Sequence, residues 1–237
     1  MLGAPLGVVA AGAFSWRAAF WLIAALAAAA LAGVALTGAG AGPVGVTSLR
    51  ERLSPLRSPA VVGTLAVSFL AMTASKSVYT YLPLVAGVAA GAHGLLISAL
   101  GVGGVAGTWW GGAAADRYGG RRVALVAVAG LIVCFAVLPA AVASLATALA
   151  VMLAWGAGTW GLVPAQQHRL IELAPGPVSF VLALNSSANN LGFSAGALFG
   201  GLLVDAVGPG PLWLLAAGCC AAALILHAFL SRKASSS

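Results

Sequence analysis

Lys76 falls inside an apolar run, on a helical face that also carries Phe69, Met72, Thr73, Tyr79, Thr80 and Pro83 at spacings of three and four. An ammonium there has two readings. It binds an anionic group in a solute cavity, or it snorkels along its four-carbon stem to the outer interface. In a later run Met152, Trp155 and Thr159 share a face and Trp160 adjoins them. Trp155 and Thr159 are candidate cavity residues, with packing or an interfacial aromatic belt as the other reading. Further on, Asn185, Asn189, Gly192, Gly196 and Gly200 form one stripe. Such a stripe suits close helix contact with amide hydrogen bonds across it, which leaves Ser186 and Asn190 on the adjacent face as better cavity candidates.

The most specific string runs Gly112-Ala113-Ala114-Ala115-Asp116-Arg117-Tyr118-Gly119-Gly120-Arg121-Arg122. Gly112 is expected to let two helices approach, and Gly119 with Gly120 to turn the chain tightly. Asp116 stays ionised at a membrane edge only beside cations or helix N-terminal amides. Catalytic chemistry finds little support. Cys134, Cys219 and Cys220 lie in apolar runs without metal-ligand spacing, and His93, His168 and His227 are scattered. No nucleophile elbow, phosphate-binding lysine loop or zinc-binding His-Glu-x-x-His occurs, so neither catalytic residues, a metal nor a cofactor is expected, and the chain is not read as an enzyme. The acids Glu51, Asp116 and Glu172 fall in one set of connecting segments and Asp205 at a span end, so no acid marks the middle of a span.

The elements that must carry these residues follow from composition. Of 237 residues, 11 are Lys or Arg and 4 Asp or Glu, so 6% are charged, while 62% are hydrophobic. Soluble domains carry roughly 25% charge and need polar exteriors, so this is an integral membrane protein. Apolar runs near 18–38, 60–86, 95–115, 122–140, 145–164, 178–204 and 211–230 are each long enough to cross a hydrocarbon layer of ~30 Å. They are rich in Ala, Leu and Gly and do not alternate, which favours helices over barrel strands. The first fourteen residues form an apolar stretch without a basic flank ahead of it, so they are not a signal peptide. They are expected to be part of a further span. Seven full transmembrane helices and one partial one result.

If the spans alternate in direction, Arg50, Arg52, Arg57, Arg117, Arg121, Arg122, Arg169, Arg232 and Lys233 all fall on one side, with Arg17 opposite. By the positive-inside rule that side, with the C-terminus, is cytoplasmic. The net charge of +7 is therefore a topology signal. Nucleic acid is not expected as a partner, because no soluble basic surface with interleaved aromatics exists.

The 112–122 string resembles the signature of the major facilitator superfamily, G-x-x-x-D-R-x-G-[R or G]-R-R. In that family the loop latches two helix bundles in one state, which the resemblance implies for Gly112, Asp116, Arg117, Gly119, Arg121 and Arg122. Gly3-Ala4-Pro5-Leu6-Gly7, followed by Ser15-Trp16-Arg17-Ala18-Ala19-Phe20, is similar to the fifth-helix motif of the drug/proton antiporter branch and the turn after it. Gly3, Pro5 and Gly7 carry that resemblance. Gln166-Gln167-His168-Arg169-Leu170-Ile171-Glu172-Leu173-Ala174-Pro175, with Asn185 to Gly192, looks like the loop and eleventh helix of bacterial metabolite or drug exporters.

The resemblance implies an all-α membrane bundle of the major-facilitator type, N-terminally truncated to helices five (partial) through twelve. Residues 1–38 would be a remnant of the first half, 39–58 a cytoplasmic linker and 59–237 a complete six-helix half. It implies a secondary active transporter exporting a small organic solute or drug by alternating access, with the proton as coupling ion. Lys76, Tyr79, Trp155, Thr159 and Asn190 would contact substrate. The other reading is a non-transporting fragment, or a subunit whose partner supplies the missing helices. The lipid bilayer of a bacterial inner membrane is the expected setting. Two further expectations concern glycines. The Gly192/Gly196/Gly200 face would be exposed and support self-association, and Gly103, Gly107 and Gly111 would receive Gly3 and Gly7.

Overall fold

The computed structural model describes residues 16–37, 54–85, 92–173 and 178–234. These form helices and short turns: α1 (Trp16–Thr37), a 3-10 turn (Ser54–Arg57), α2 (Pro59–Tyr79), α3 (Leu82–Val85), α4 (His93–Tyr118), α5 (Gly120–Ala141), α6 (Leu145–Leu173), α7 (Val178–Val207) and α8 (Leu212–Ala234). Each expected span contains one long helix. Six of them, α2 and α4 to α8, are long and apolar enough to cross a membrane. In α1 the apolar stretch is the shorter Phe20–Leu36, and every described side chain there is exposed.

Local chemistry sets the helix ends. Pro59 occupies the first turn of α2, where its missing N–H is not needed, and the Val62 N–H bonds back to the Ser58 carbonyl at 3.1 Å. Gly119 ends α4 at φ +84°, its N–H donating to the Ala115 carbonyl at 2.8 Å, and Gly208 follows α7 at the same φ. That backbone region suits only glycine comfortably. Two helices outrun their expected ends. Asp116 and Arg117 lie in the last turn of α4 rather than in a loop, and α6 continues through Pro164 to Leu173, taking Gln166 and Arg169 with it. Here Gln166 and Arg169 are buried, so their side chains are held by tertiary contacts that a loop would not offer.

α2 is the most buried of the six spans. It packs on α7, α8 and α6, while α6 packs on α4 and α5, and α5 meets α8. That pattern is unchanged if α2, α4 and α5 exchange places with α6, α7 and α8. The glycines match the exchange. A Cβ on Gly103, Gly107 or Gly111 of α4 would collide with the backbone of Leu153, Ala157 or Gly161 of α6. One on Gly192, Gly196 or Gly200 of α7 would collide with Phe69, Thr73 or Ser77 of α2. The α2 and α6 positions correspond at the 84-residue separation of Ser75 and Thr159, whose hydroxyls share a 2.8 Å hydrogen bond where the two helices cross. Because consecutive spans run in opposite directions, the two three-helix units are inverted with respect to each other, an arrangement known from transporters.

These contacts correct two expectations. Gly192, Gly196 and Gly200 are buried against α2, so the glycine face is not exposed and offers no surface for self-association. The Gly103/Gly107/Gly111 row is occupied by α6, and Gly3 and Gly7 lie outside the described residues. In both cases small residues let two backbones approach within van der Waals range, and each helix meets a neighbour of its own unit pair rather than a foreign surface.

Candidate functional site

The crossing of α2 and α6 organises the interior. Thr159 is midway along α6, bonded to Ser75, and the Trp155 indole N–H donates to the same Ser75 hydroxyl oxygen at 3.2 Å. Phe135 of α5 closes the cluster edge-on, 5.2 Å from Trp155 between ring centroids. Trp155 is 1% exposed and Thr159 5%. Both are packed in the interior, where they join α2, α5 and α6. A buried indole N–H and two hydroxyls satisfy one another here, which removes the desolvation cost each would carry alone.

One residue beyond Ser75, Lys76 turns outward to a half-buried position, as does its repeat counterpart Trp160. The Lys76 ammonium lies 4.4 Å from the Tyr79 ring centroid and 5.7 Å from that of Phe193, and Phe193 lies 6.5 Å from Trp160. Rings of α2 and α7 thus frame one cation, and Trp160 of α6 packs beside the Phe193 ring. Among the described residues no carboxylate pairs with Lys76. Cation–π contact holds an ammonium at low desolvation cost but does not neutralise it. Asn190 is exposed on α7, its amide bonded to the Ser186 carbonyl at 3.0 Å. Phe193 was not anticipated. Its signal was available, since it lies three residues from Asn190 on the same helix.

Nearer the basic end, a second polar cluster joins α2, α6 and α7. The Gln166 amide donates to the Thr64 carbonyl at 3.0 Å and to the Ser68 hydroxyl at 3.3 Å, and Ser68 donates to the Asn185 amide oxygen at 2.9 Å. The expected role of Asn185 as interhelical glue is met, through Ser68. Ser68 escaped the sequence reading, and Gln166 entered it only within a stretch read as a loop, because a lone hydroxyl or amide carries no pattern until its helices are assembled.

The 112–122 string divides into parts with separate work. Gly111, rather than Gly112, makes the close approach to α6, where a Cβ would stand 2.6 Å from the Gly161 carbonyl oxygen. Gly112 meets only Pro164, at 4.0 Å, and lines a shallow groove on the outer side of α4 with Val105, Thr108, Trp109, Ala113 and Asp116. Gly119 makes the turn, while Gly120 is a contact glycine whose Cβ would strike the Ala165 carbonyl oxygen and stand 3.0 Å from the Arg169 nitrogen. Asp116 is exposed, 4.0 Å from His168, which lies 3.3 Å from Glu172. Arg117, Arg121 and Arg122 are exposed, and the Arg117 guanidinium lies 5.4 Å from the Tyr118 ring centroid. Pro5, like Gly3 and Gly7, lies outside the described residues.

Six long apolar helices in two inverted units, with polar residues gathered at the crossing, define an all-helical, multi-pass membrane bundle. The chain belongs to the Major Facilitator Superfamily, whose family model matches residues 1–179 and 94–237. It is similar to the uncharacterized MFS-type transporter YfhI of Bacillus subtilis (strain 168), with 28% identity over 243 residues that take in 99% of this chain and 61% of that protein. The chain spans about three-fifths of the length of that relative.

Proposed function

We propose that this chain works in a secondary transporter that exports a small organic solute across a bacterial inner membrane by alternating access, with the proton as coupling ion. The observation that carries this reading is Lys76, a half-buried cation within a span, framed by Tyr79 and Phe193 and with no carboxylate partner among the described residues. A charge kept in an apolar span at such cost has a ligand-binding or coupling role by default. Lys76, Tyr79 and Asn190, joined by Phe193 and Trp160, would form one wall of the solute path, with Trp155 and Thr159 supporting it from behind. An organic anion suits that wall.

The resemblance of the 3–20 stretch to the drug/proton antiporter branch, and of the 166–192 stretch to exporters, supports the outward direction and the proton. The clustering of cations at one end of the bundle supports a cytoplasmic C-terminus. Asp116, Arg117, Arg121 and Arg122 would latch this bundle to the other half of the transporter. Residues 59–237 would then be one six-helix half, 39–58 the linker and 1–38 part of the other half.

The test is flux in proteoliposomes for a panel of aromatic carboxylates, neutral lipophiles and amines. Saturable flux of carboxylates, lost in Lys76→Ala and retained in Lys76→Arg, is expected. Flux indifferent to Lys76→Ala would remove Lys76 from the path, and no saturable flux of any solute would overturn transport by this chain.

A further inference from the structure

Arg169 is a second cation inside the bundle, 6% exposed near the end of α6. Its guanidinium Nη1 lies 2.7 Å from Nδ1 of His227, which is fully buried on α8. A guanidinium donates and never accepts, so Nδ1 must be the acceptor. The ring proton is then on Nε2, 3.1 Å from the carbonyl oxygen of Arg121, to which it donates. The two bonds together admit one state of the ring, neutral with the proton on Nε2.

Each bond reaches a different helix. Arg169 belongs to α6, and Arg121 to the first turn of α5, directly after the Gly119 turn. Gly120 lets that turn lie against the α6 backbone at Ala165 and Arg169. The turn is thus held from one side by glycine contact and from the other by the imidazole.

We propose that His227 is a positioning residue: neutral, it ties the Gly119 turn and α8 to Arg169 of α6, and protonated, it keeps the turn but lets Arg169 go. This rests on reading the 112–122 string as a gate element. Protonation would put a donor on Nδ1, facing a guanidinium that can only donate, and a second positive charge 2.7 Å from it. Arg121 adds a third cation from α5. Asp116, Arg117 and Tyr118 of α4, Arg122 of α5, His168 and Glu172 of α6, and Arg57 of the 3-10 turn are the other titratable groups described at this end. On α2 only Lys76 and Tyr79 titrate, and on α7 only Asp205, all toward the opposite end. On α8 itself, Cys219 and Cys220 lie about two turns below and Arg232 and Lys233 one turn above. The tie therefore holds at high pH and is lost as pH falls.

The test places nitroxide labels at two exposed sites, Tyr118→Cys beside the turn and Ile171→Cys on α6, in a background with Cys134, Cys219 and Cys220 changed to Ala. Distances are measured by pulsed EPR between about pH 8 and about pH 3, a range wide enough to charge a buried ring beside a guanidinium. A single short distance at the upper end should give way to a longer, broader population at the lower end. His227→Gln, which can accept from Arg169 and donate to Arg121 but does not titrate, should hold the short distance throughout. His227→Leu should show the broad population at every pH. A parent distance that does not move with pH overturns the proposal, whether or not the variants fold, and so does a His227→Gln protein that opens like the parent. Flux measured alongside separates the two readings: if the turn parts from α6 through His227 while flux keeps the same pH profile in parent and His227→Gln, the gate reading fails and the positioning role stands.

Discussion

The indole nitrogen of Trp155 stands 3.2 Å from the hydroxyl oxygen of Ser75, which in turn stands 2.8 Å from that of Thr159. This three-way contact lies where α2 crosses α6, at the centre of the inverted repeat. It leaves the next residue on α2, Lys76, directed away from the core toward Tyr79 and Phe193.

Removing the indole should therefore be costly. Trp155→Ala empties a site filled by a fully buried ring against Phe135 and should cost about 3–5 kcal/mol. Trp155→Phe keeps most of the volume but leaves Ser75 without its donor, and should cost less. The unfolding midpoint of the purified protein in a titration with sodium dodecyl sulfate checks both, and equal effects would contradict a packing role.

The glycine rows give a second expectation. Gly196→Leu forces a side chain against the Thr73 carbonyl and the Cβ of Lys76, which would stand 2.9 Å from the first added atom. Overpacking of this kind costs about 1–3 kcal/mol or more where backbone must shift. Because α7 would move off α2, the variant should also displace Phe193 from Lys76, and flux should fall together with stability. Gly218→Leu, at a position where an added Cβ meets nothing, should be close to neutral.

Ser68 and Asn185 can be weighed by a double-mutant cycle with alanine. Interhelical hydrogen bonds of this kind in membrane proteins average about 0.6 kcal/mol and reach about 1.7. A coupling at the upper end is expected, because Ser68 also accepts from Gln166, and a coupling near zero would show the contact to be incidental.

The turn separates two glycine roles that lie side by side. Gly119→Ala places a Cβ at φ +84° and should cost about 1–3 kcal/mol through backbone strain alone. Gly120→Ala adds no such strain but meets the Ala165 carbonyl, so it should push α5 off α6 and weaken the tie through Arg169. Only the second should broaden the distance between labels at positions 118 and 171 at high pH. Identical behaviour of the two would refute the division of labour.

What could be read along the chain was what depends on neighbours in sequence. Apolar runs of span length, nine of eleven cations in alternate connections and a Gly119 turn flanked by charge all follow from helix rise, the cost of burying charge and glycine's open backbone. The same reasoning led to Lys76 and Tyr79 as one face. It could not say what a face meets. A period of three and four groups Gly192 with Gly196 and Gly200, or Trp155 with Thr159, yet it is silent on whether that group looks at lipid, a cavity or another helix. Assembly decided that α2 fills the glycine row of α7, that Trp155 turns inward to Ser75, and that Arg169, which resembled a loop cation, lies buried on His227. Those outcomes depend on contacts between residues far apart in the chain, and only close packing of the helices brings such residues within hydrogen-bond range.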